Sequence, residues 1–190
     1  MRFSPLAIAA TVATIAGSAS AQPKPAPSAA LDDATIVAIF DAANTYDMET
    51  GALAVRKGST QAVRDFGKQL SGDHNTVRQQ GRDLATHLHV TPTPPKDFPL
   101  AAAHGAALKK LSGLEGKAFD KAFLEHEVAF HKAVIDAVTT TLLPSLQNQQ
   151  VKDLVTKVAP AFNAHMLAAQ NLLNKSGQYL VRDQGEGSAK

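Results

Sequence analysis

The sequence contains no cysteine and no tryptophan. The absence of cysteine excludes a disulfide framework, a thiolate metal site, a cysteine nucleophile and a lipid-modified amino-terminal cysteine. The chain also lacks a large excess of one charge, because it has 19 basic and 17 acidic residues and a formal net charge of +2. This near balance, without a long run of either sign, argues against nucleic acid as a partner. The remaining composition, 44% hydrophobic and 19% charged in 190 residues, is typical of one globular domain.

Several catalytic signatures are absent as well. The chain has no GxGxxG or GxxxxGKS/T phosphate loop and no GxSxG elbow. His126 and Glu127 are followed by His131, which lies one residue too far along for the HExxH motif of metalloproteases. The sequence therefore indicates no established class of enzyme, and it leaves open whether the protein is an enzyme at all.

The amino-terminal segment has the features of an export signal. Arg2 supplies a positive charge, residues 6–16 are apolar, and residues 19–21 (Ala-Ser-Ala) form a small-x-small cleavage site. The apolar stretch is shorter than the roughly 20 residues that span a bilayer. We therefore predict a signal peptide over residues 1–21, cleaved after Ala21, and a periplasmic or secreted mature protein without a membrane span.

Both ends of the mature chain are predicted to lie outside the folded domain. Residues 22–31 are rich in proline and alanine, which predicts an extended linker. Residues 182–190 carry almost nothing to bury, and a disordered tail is predicted over residues 176–190. The domain is therefore predicted to occupy residues 32–175.

The central segment is rich in alanine, and its apolar residues recur every three or four positions without strand-like alternation. This pattern predicts an all-α fold, and four segments of matched length favour a four-helix bundle over an irregular helical array. Gly177 is predicted to end the fourth helix, Pro144 to end the third, and Pro160 to kink the fourth. The predicted helices cover about residues 33–57, 59–89, 117–143 and 148–175, with a broken segment over 100–116.

Each predicted helix carries at least one ionisable residue on its apolar face. On the first helix, Asp47 continues the run of Ile36, Phe40 and Ala43 in steps of three and four. Glu49 lies two residues further on and projects to the opposite side. The same placement on all four helices selects Asp47, His74, Glu127, His131 and His165, with Asp73 at the edge of the second stripe.

These inward groups need partners. Burying one lone ionised group costs several kcal/mol even after relaxation, and a whole domain has only about 5–15 kcal/mol of stability. The groups must therefore neutralise one another or bind a cation. Carboxylates and imidazoles that converge from four helices predict a metal site, and this donor mixture suits iron, manganese, zinc or copper. Whether Asp73 or Glu125 joins the site stays open.

A structural interpretation of the same residues stands beside the metal site. Glu127 and His131 are four residues apart and can form an ion pair on one helix face. Asp73 and His74 can likewise form a local carboxylate–imidazole pair. The other histidines fall off the apolar stripes or in breaks, so they are predicted to lie on the surface. They are His87, His89, His104 and His126.

Around these residues the chain resembles a known family. The stretches that carry the resemblance are Asp73-His74, Phe119-Asp120, the EVxxH run from Glu127 to His131, and Ala164-His165. They are similar to the secreted bacterial family called domain of unknown function 4142, over about residues 36–173. The resemblance implies a ferritin-like four-helix fold, and Asp47 matches the acidic residue of the family's first helix. It implies no biochemical activity.

The inward set departs from a ferritin-like di-iron site. Such sites typically combine four carboxylates with two histidines in Glu-x-x-His pairs. Here three histidines and two carboxylates face inward, or three carboxylates with Asp73, and Glu127 precedes His131 by four positions. A single metal ion or an asymmetric pair is therefore at least as compatible with the sequence as a ferroxidase centre.

Two functions are compatible with the sequence. One is an exported metal-binding bundle with a redox or stress-related role, in which Asp47 and Glu127 supply oxygen ligands and the three inward histidines supply nitrogen ligands. A kink at Pro160 would widen the bundle and admit a small molecule. The other is a non-catalytic envelope or stress interaction module, in which the inward residues form a structural network.

Overall fold

The computed structural model describes residues 31–186, and every regular element within them is a helix. The predicted signal peptide and residues 22–30 of the predicted linker lie outside the described residues, as do residues 187–190. The elements are α1 (Asp33–Lys57), α2 (Gln61–His87), α3 (Pro99–Ser112), α4 (Gly116–Ala137), a π-helical turn (Val138–Leu142), α5 (Leu143–Ser145) and α6 (Gln149–Glu186). The prediction of an all-α fold is confirmed.

The four long helices, α1, α2, α4 and α6, form the bundle. Helix α1 packs along α2, and α4 packs along α6, while α1 also contacts α4 and α2 contacts α6. The start of α1 meets the chain that follows α4, because the Asp33 carboxylate accepts hydrogen bonds from the backbone N–H groups of Gln147 and Asn148, both at 2.8 Å. Helix α1 is therefore antiparallel to both α2 and α4, which makes α2 and α4 parallel to each other. Parallel neighbours in sequence need a long crossover, and α3 lies within it, as in ferritin-like bundles.

Asp120 connects the turn between α1 and α2 to the start of α4. Its buried carboxylate accepts hydrogen bonds from the Ser59 N–H at 2.8 Å, the Ser59 hydroxyl at 2.6 Å and the Thr60 N–H at 3.3 Å. Thr60 itself caps α2 by accepting a bond from the Val63 N–H. Charged acceptors at a helix start satisfy N–H groups that have no partner within the helix. Asp120 therefore holds two helix starts in one place.

The interior consists of two apolar clusters with a polar layer between them. One cluster surrounds Ile36, Val134 and Phe162, and the other surrounds Leu70, Phe119 and Phe123. Along each long helix, the buried polar residues other than Asp120 fall at or next to the boundary between these two clusters. Those polar residues are Asn44, Asp47, Thr50, His74, Glu127, His131 and His165. The predicted apolar stripes thus form the two clusters, and the predicted inward residues form the layer that divides them.

Two glycines allow α1 and α2 to approach closely. A Cβ atom added at Gly67 would lie 2.6 Å from the Gly51 carbonyl oxygen and 2.7 Å from the Ala54 side chain. A Cβ atom added at Gly51 would in turn lie 2.6 Å from the Gly67 carbonyl oxygen. Backbone contacts this short cannot be relieved by rotating a side chain, so the helices would have to move apart. The pair therefore sets the distance between the two helices that carry Asp47 and His74.

One predicted helix end is wrong. Helix α6 continues through Gly177 to Glu186, so part of the predicted disordered tail is helical. A glycine ends a helix only when it leaves the helical conformation, and inside a helix it costs only about 1 kcal/mol. The helical segment that contains α4 ends at Ser145, one residue after Pro144, which agrees with the predicted end near this proline. Helix α6 is continuous through Pro160.

None of the helices within residues 31–186 is both long and apolar enough to span a membrane.

The close approach of α1 and α2 predicts opposite effects for two alanine substitutions on α2. We expect Gly67→Ala to destabilise the protein by about 1–3 kcal/mol, since the new methyl group overpacks the helix contact. The matched control is Gly72→Ala, where an added Cβ meets nothing within 4 Å. This control should stabilise the protein by roughly 0.5–1 kcal/mol through helix propensity alone. Urea unfolding measures both, and a stabilising Gly67→Ala would contradict the packing described.

Candidate metal centre

All five side chains that the sequence places inside the bundle are buried. Asp47, His74, Glu127, His131 and His165 are each at most 3% exposed. They come from all four long helices, since α1 supplies Asp47, α2 supplies His74, α4 supplies Glu127 and His131, and α6 supplies His165. The predicted inward orientation of these five residues is confirmed. Asp73 and Glu125 are different, because their side chains are about half exposed, at 51% and 49%.

The buried residues form two overlapping groups of potential metal ligands. In the first group, one ring nitrogen from each of His74, His131 and His165 lies within 4.8 Å of the other two. In the second group, one atom from each of Asp47, Glu127 and His131 meets the same limit. His131 belongs to both groups, so it stands between the histidines and the carboxyl groups. These buried groups could hold a metal ion.

Hydrogen bonds determine which nitrogen of His74 carries the proton. The side-chain amide of Asn44 donates to the Phe40 carbonyl oxygen at 2.8 Å, which turns the amide oxygen toward His74. That oxygen lies 2.9 Å from Nδ1 of His74 and can only accept, so Nδ1 carries the hydrogen. In a neutral ring the lone pair is then on Nε2. Asn44, which is fully buried, therefore selects the nitrogen that His74 offers to a ligand.

The same reasoning applies to His131. Its Nδ1 lies 2.9 Å from the backbone carbonyl oxygen of Glu127, one turn earlier on α4. A carbonyl oxygen only accepts, so Nδ1 donates and the lone pair of the neutral ring is on Nε2. This Nε2 atom is buried and has no hydrogen-bond partner. A buried polar atom without a partner is uncommon in proteins and is a candidate for a ligand-binding or other functional role.

His165 connects the buried layer to the half-exposed Asp73. Its Nε2 lies 2.9 Å from a carboxylate oxygen of Asp73, which accepts the bond. Its Nδ1 lies 3.1 Å from Nε2 of His74, the nitrogen that carries the lone pair. Asp73, Asn44 and the Glu127 carbonyl thus each accept a hydrogen bond from one ring nitrogen of a different histidine. One nitrogen of each ring lies within 4.8 Å of one nitrogen of the other two.

The two carboxyl groups are buried and lack well-formed hydrogen bonds. No hydrogen bond to an oxygen of Asp47 or of Glu127 has good geometry, and Nδ1 of His74 and Nδ1 of His131 lie 3.5 Å from Asp47 and Glu127, respectively. The two carboxyl groups also interact with each other, and Glu127 interacts with the Thr50 side chain. Burial raises the pKa of Glu127 to about 7. Burial, together with the neighbouring charge of Glu127, also raises the pKa of Asp47 well above its ordinary value. The metal-free pair therefore carries an electrostatic cost that a bound cation would relieve.

His74 and His131 stay uncharged near neutral pH. Burial and the neighbouring His131 and His165 lower the pKa of His74 to about 2. Burial likewise lowers the pKa of His131 to about 4. Imidazole binds metal ions in its neutral form, so these two rings are in the metal-binding state throughout the physiological pH range.

An apolar cavity of about 310 Å³ lies next to the buried layer. Asn44 and Phe162 line it, and both also contact the histidines, because Asn44 accepts from His74 and the Phe162 ring lies 5.0 Å from the His74 ring. Ala159, the residue before Pro160, lines the same cavity together with residues of the π-helical turn. One layer of side chains separates this cavity from the histidines.

The other histidines divide into three cases. His87 and His89 are exposed, which confirms the prediction for them. His104 is buried, so its predicted surface position is wrong. Helix α3 packs against α1, where the His104 ring stacks on Tyr46 at 4.0 Å and its Nε2 lies 2.7 Å from the Glu49 carboxylate. His126 is half-buried, and burial lowers its pKa to about 4.

Sequence reasoning overlooked Asn44 in the buried layer and assigned no role to Thr50, which it placed on the inward face. Asn44 precedes Asp47 by three residues and follows Phe40 by four, so its position on the inward face was readable from the sequence. Thr50 lies on the same face, and its hydroxyl donates within α1 to the carbonyl oxygens of Tyr46 and Asp47. A search for ionisable residues on the apolar faces does not select Asn44, because its side chain is uncharged. Asn44 nevertheless orients the ring of His74.

The comparisons with known proteins agree with this fold. A family model described as "Domain of unknown function (DUF4142)" matches residues 17–172. The chain belongs to this family. A solved structure described as a DUF305 fragment from Deinococcus radiodurans is similar to the DUF4142 chain, with a TM-score of 0.65 and 15% sequence identity. The similarity covers 75% of this chain and 95% of that one, and at this identity it shows the fold alone. No curated protein matches the chain significantly.

The raised pKa of Glu127 predicts how the metal-free protein responds to pH. Between about 4.3, the value in an unfolded chain, and 7, the folded state binds more protons than the unfolded state. The carboxyl group therefore lowers stability increasingly as the pH rises through this interval. We expect Glu127→Gln to stabilise the chelator-treated protein by roughly 2–3 kcal/mol at pH 8, and by much less at pH 5.

Urea unfolding at both pH values measures this difference, with Glu125→Gln as the half-exposed control on the same helix. His residues that titrate in the unfolded chain contribute equally to wild type and variant, so the comparison isolates Glu127. An effect of Glu127→Gln that is the same at pH 5 and pH 8 would contradict the raised pKa.

Proposed function

We propose that this DUF4142 protein is an exported transition-metal-binding protein, and that the metal is held within the buried polar layer of its four-helix bundle. The observation that carries the proposal is the set of buried polar atoms without partners, namely both oxygens of Asp47, both oxygens of Glu127 and Nε2 of His131. Each such atom costs free energy when it is left without a partner. A cation in this layer would give Nε2 of His131 a partner and would offset the negative charge of the two carboxyl groups.

The chemistry of the donors supports a transition metal. Neutral imidazoles suit zinc, copper, iron and nickel, whereas sites for calcium and magnesium are built from oxygen atoms. His74, His131 and His165 bring one nitrogen each to a common region. Iron, manganese, zinc and copper were all expected from the sequence, and the three nitrogens fit manganese least.

A redox or stress-related role is the form of activity that this proposal favours. A metal ion with an open coordination position can react with a small molecule, and the protein would supply a dry surrounding for it. The apolar cavity beside Asn44 and Phe162 offers space for an uncharged small molecule close to the layer. The proposal names no substrate.

A structural network is the second candidate function, and one observation favours it. Asn44, His74, His165 and Asp73 are joined by successive contacts of 2.9, 3.1 and 2.9 Å. Such a chain can hold helices α1, α2 and α6 together without a metal ion. The protein would then act through its surface, as an envelope or stress interaction module.

Elemental analysis of the mature protein separates these two functions. We expect the wild type, purified without chelator or affinity metal, to contain near-stoichiometric iron, manganese, zinc or copper. The double variant Glu127→Ala, His131→Ala should contain none, because it removes one carboxyl group and the ring shared by both ligand groups. His87→Ala, an exposed histidine on α2, should retain the wild-type content. A wild type that holds no metal, even after soaking with each ion, would favour the structural network.

Export predicts a defined amino terminus. When the full sequence is expressed in a bacterium with an outer membrane, we expect the protein in the periplasm or medium, beginning at Gln22. Ala21→Glu, which places a large charged residue at the predicted cleavage position, should leave the amino-terminal segment attached. Amino-terminal sequencing of both fractions measures this. An unprocessed wild-type chain in the cytoplasm would contradict export and would leave metal binding untouched.

A further inference from the structure

We propose that three imidazole nitrogens, from His74, His131 and His165, bind the metal ion, and that Asp47 and Glu127 are not ligands but balance its charge from behind the rings. This inference rests on the proposed function, since it assigns the roles within the metal-binding layer. It names a nitrogen-preferring divalent ion of the copper and zinc class as the partner. It also makes Asn44 and Asp73 positioning residues, which act on the metal through a histidine.

The first step is the direction in which each histidine offers its lone pair. Nδ1 of His74 donates to Asn44, and Nδ1 of His131 donates to the Glu127 carbonyl, so both rings offer Nε2. Nε2 of His165 donates to Asp73, so this ring offers Nδ1. Metal-binding histidines almost always donate their other ring N–H to an acceptor of this kind. All three rings of the layer have that arrangement.

The second step is the contact between His74 and His165. Nε2 of His74 and Nδ1 of His165 are 3.1 Å apart, and the other nitrogen of each ring already donates. Two lone pairs cannot face each other at this distance unless a cation lies between them. A proton on Nδ1 of His165 is one such cation, and a metal ion is another. Two nitrogens bonded to one metal ion at about 2.0–2.1 Å in neighbouring positions are themselves roughly 3 Å apart, so the rings are already spaced for one ion.

The third step is the position of the carboxyl groups. Asp47 lies 3.5 Å from Nδ1 of His74, and Glu127 lies 3.5 Å from Nδ1 of His131. Both carboxyl groups therefore lie on the N–H side of the rings and not on the lone-pair side. For Nδ1 of His131 to bind a metal together with the carboxylates, it would have to give up its bond to the Glu127 carbonyl.

The fourth step is charge. Three neutral imidazoles leave both positive charges of a divalent ion in place, and such a charge is costly in a layer without water. Asp47 and Glu127 can supply two negative charges within the same layer, at 1% and 0% exposure. Carboxylates placed behind metal-bound imidazoles are a common means of raising ligand basicity. The arrangement gives the two buried carboxyl groups a role that requires no direct bond to the metal.

Copper titration of the mature, chelator-treated protein tests this assignment, with pulsed electron paramagnetic resonance to count the imidazoles bound to Cu²⁺. The variants are His74→Ala, His165→Ala and His131→Gln on one side, and Asp47→Asn and Glu127→Gln on the other. His87→Ala and Glu125→Gln are the matched controls outside the layer. Circular dichroism and urea unfolding accompany each variant, and the conservative Asn and Gln replacements keep the test usable if an alanine variant unfolds.

We expect three bound imidazoles in the wild type and two in each histidine variant, with the affinity lowered at least about 100-fold in each. Asp47→Asn and Glu127→Gln should keep three imidazoles and lose only about 10–100-fold in affinity. Asn44→Leu should behave in the same way, and Asn163→Leu, on the exposed surface of α6, should change neither quantity. Metal preference alone is no test, because most sites bind Cu²⁺ more tightly than Mn²⁺.

The opposite pattern would overturn the assignment. Loss of binding in Asp47→Asn or Glu127→Gln, with His74→Ala and His165→Ala still binding normally, would place the metal in the carboxylate group. That result leaves the proposed metal-binding function standing. A wild type that binds no Cu²⁺, Zn²⁺ or other ion in the layer would instead contradict the proposed function and this inference together.

Discussion

Desolvation of ionisable side chains is the constraint on which the arrangement of this bundle depends. Asp47 and Glu127 lie in a layer that water does not reach, and burial opposes their negative charge. His74 and His131 in the same layer are held neutral for the same reason. The carboxyl groups of the layer therefore lack a nearby positive charge, and its neutral histidines have lone pairs to offer. A divalent cation is the simplest species that would meet both needs.

The bundle is built so that this layer is held rigidly. Apolar clusters lie above and below it, the Gly51–Gly67 contact sets the spacing of α1 and α2, and Asp120 holds the starts of α2 and α4 together. Metal ligands function when their positions are set by surrounding packing and hydrogen bonds. The long crossover through α3 leaves all four helices with antiparallel neighbours, which brings their midpoints to one level.

Helical periodicity was enough to predict the fold class and the inward residues, because burial of a helix face follows directly from spacing of three and four. Asp47 and Glu49 illustrate this, since two residues of the same charge are separated by their angle on one helix. Periodicity does not reveal what lies across an interface. The partners of the histidines, Asn44 above all, come from other helices or from the backbone, and the burial of His104 depends on the path of a crossover helix that carries no clear stripe.

The predicted end of the last helix is wrong for a different reason. Gly177 permits a helix to stop but does not require it, and its helical cost of about 1 kcal/mol can be outweighed by neighbouring residues. Ring orientation was equally inaccessible from sequence, since the protonated nitrogen of each histidine depends on acceptors placed within about 3 Å in three dimensions. The fold and the membership of the layer were therefore predictable, whereas the division of roles within the layer was not.

The central claim is that the buried layer holds a metal ion, and crystallographic anomalous scattering tests it most directly. Crystals of the mature protein, isolated without chelator, would be measured on both sides of the absorption edge of the metal found in them. The account predicts one anomalous peak among the ring nitrogens of His74, His131 and His165, on the side away from Asn44 and Asp73. The same layer without a peak, in crystals grown with an excess of zinc and copper, would contradict it.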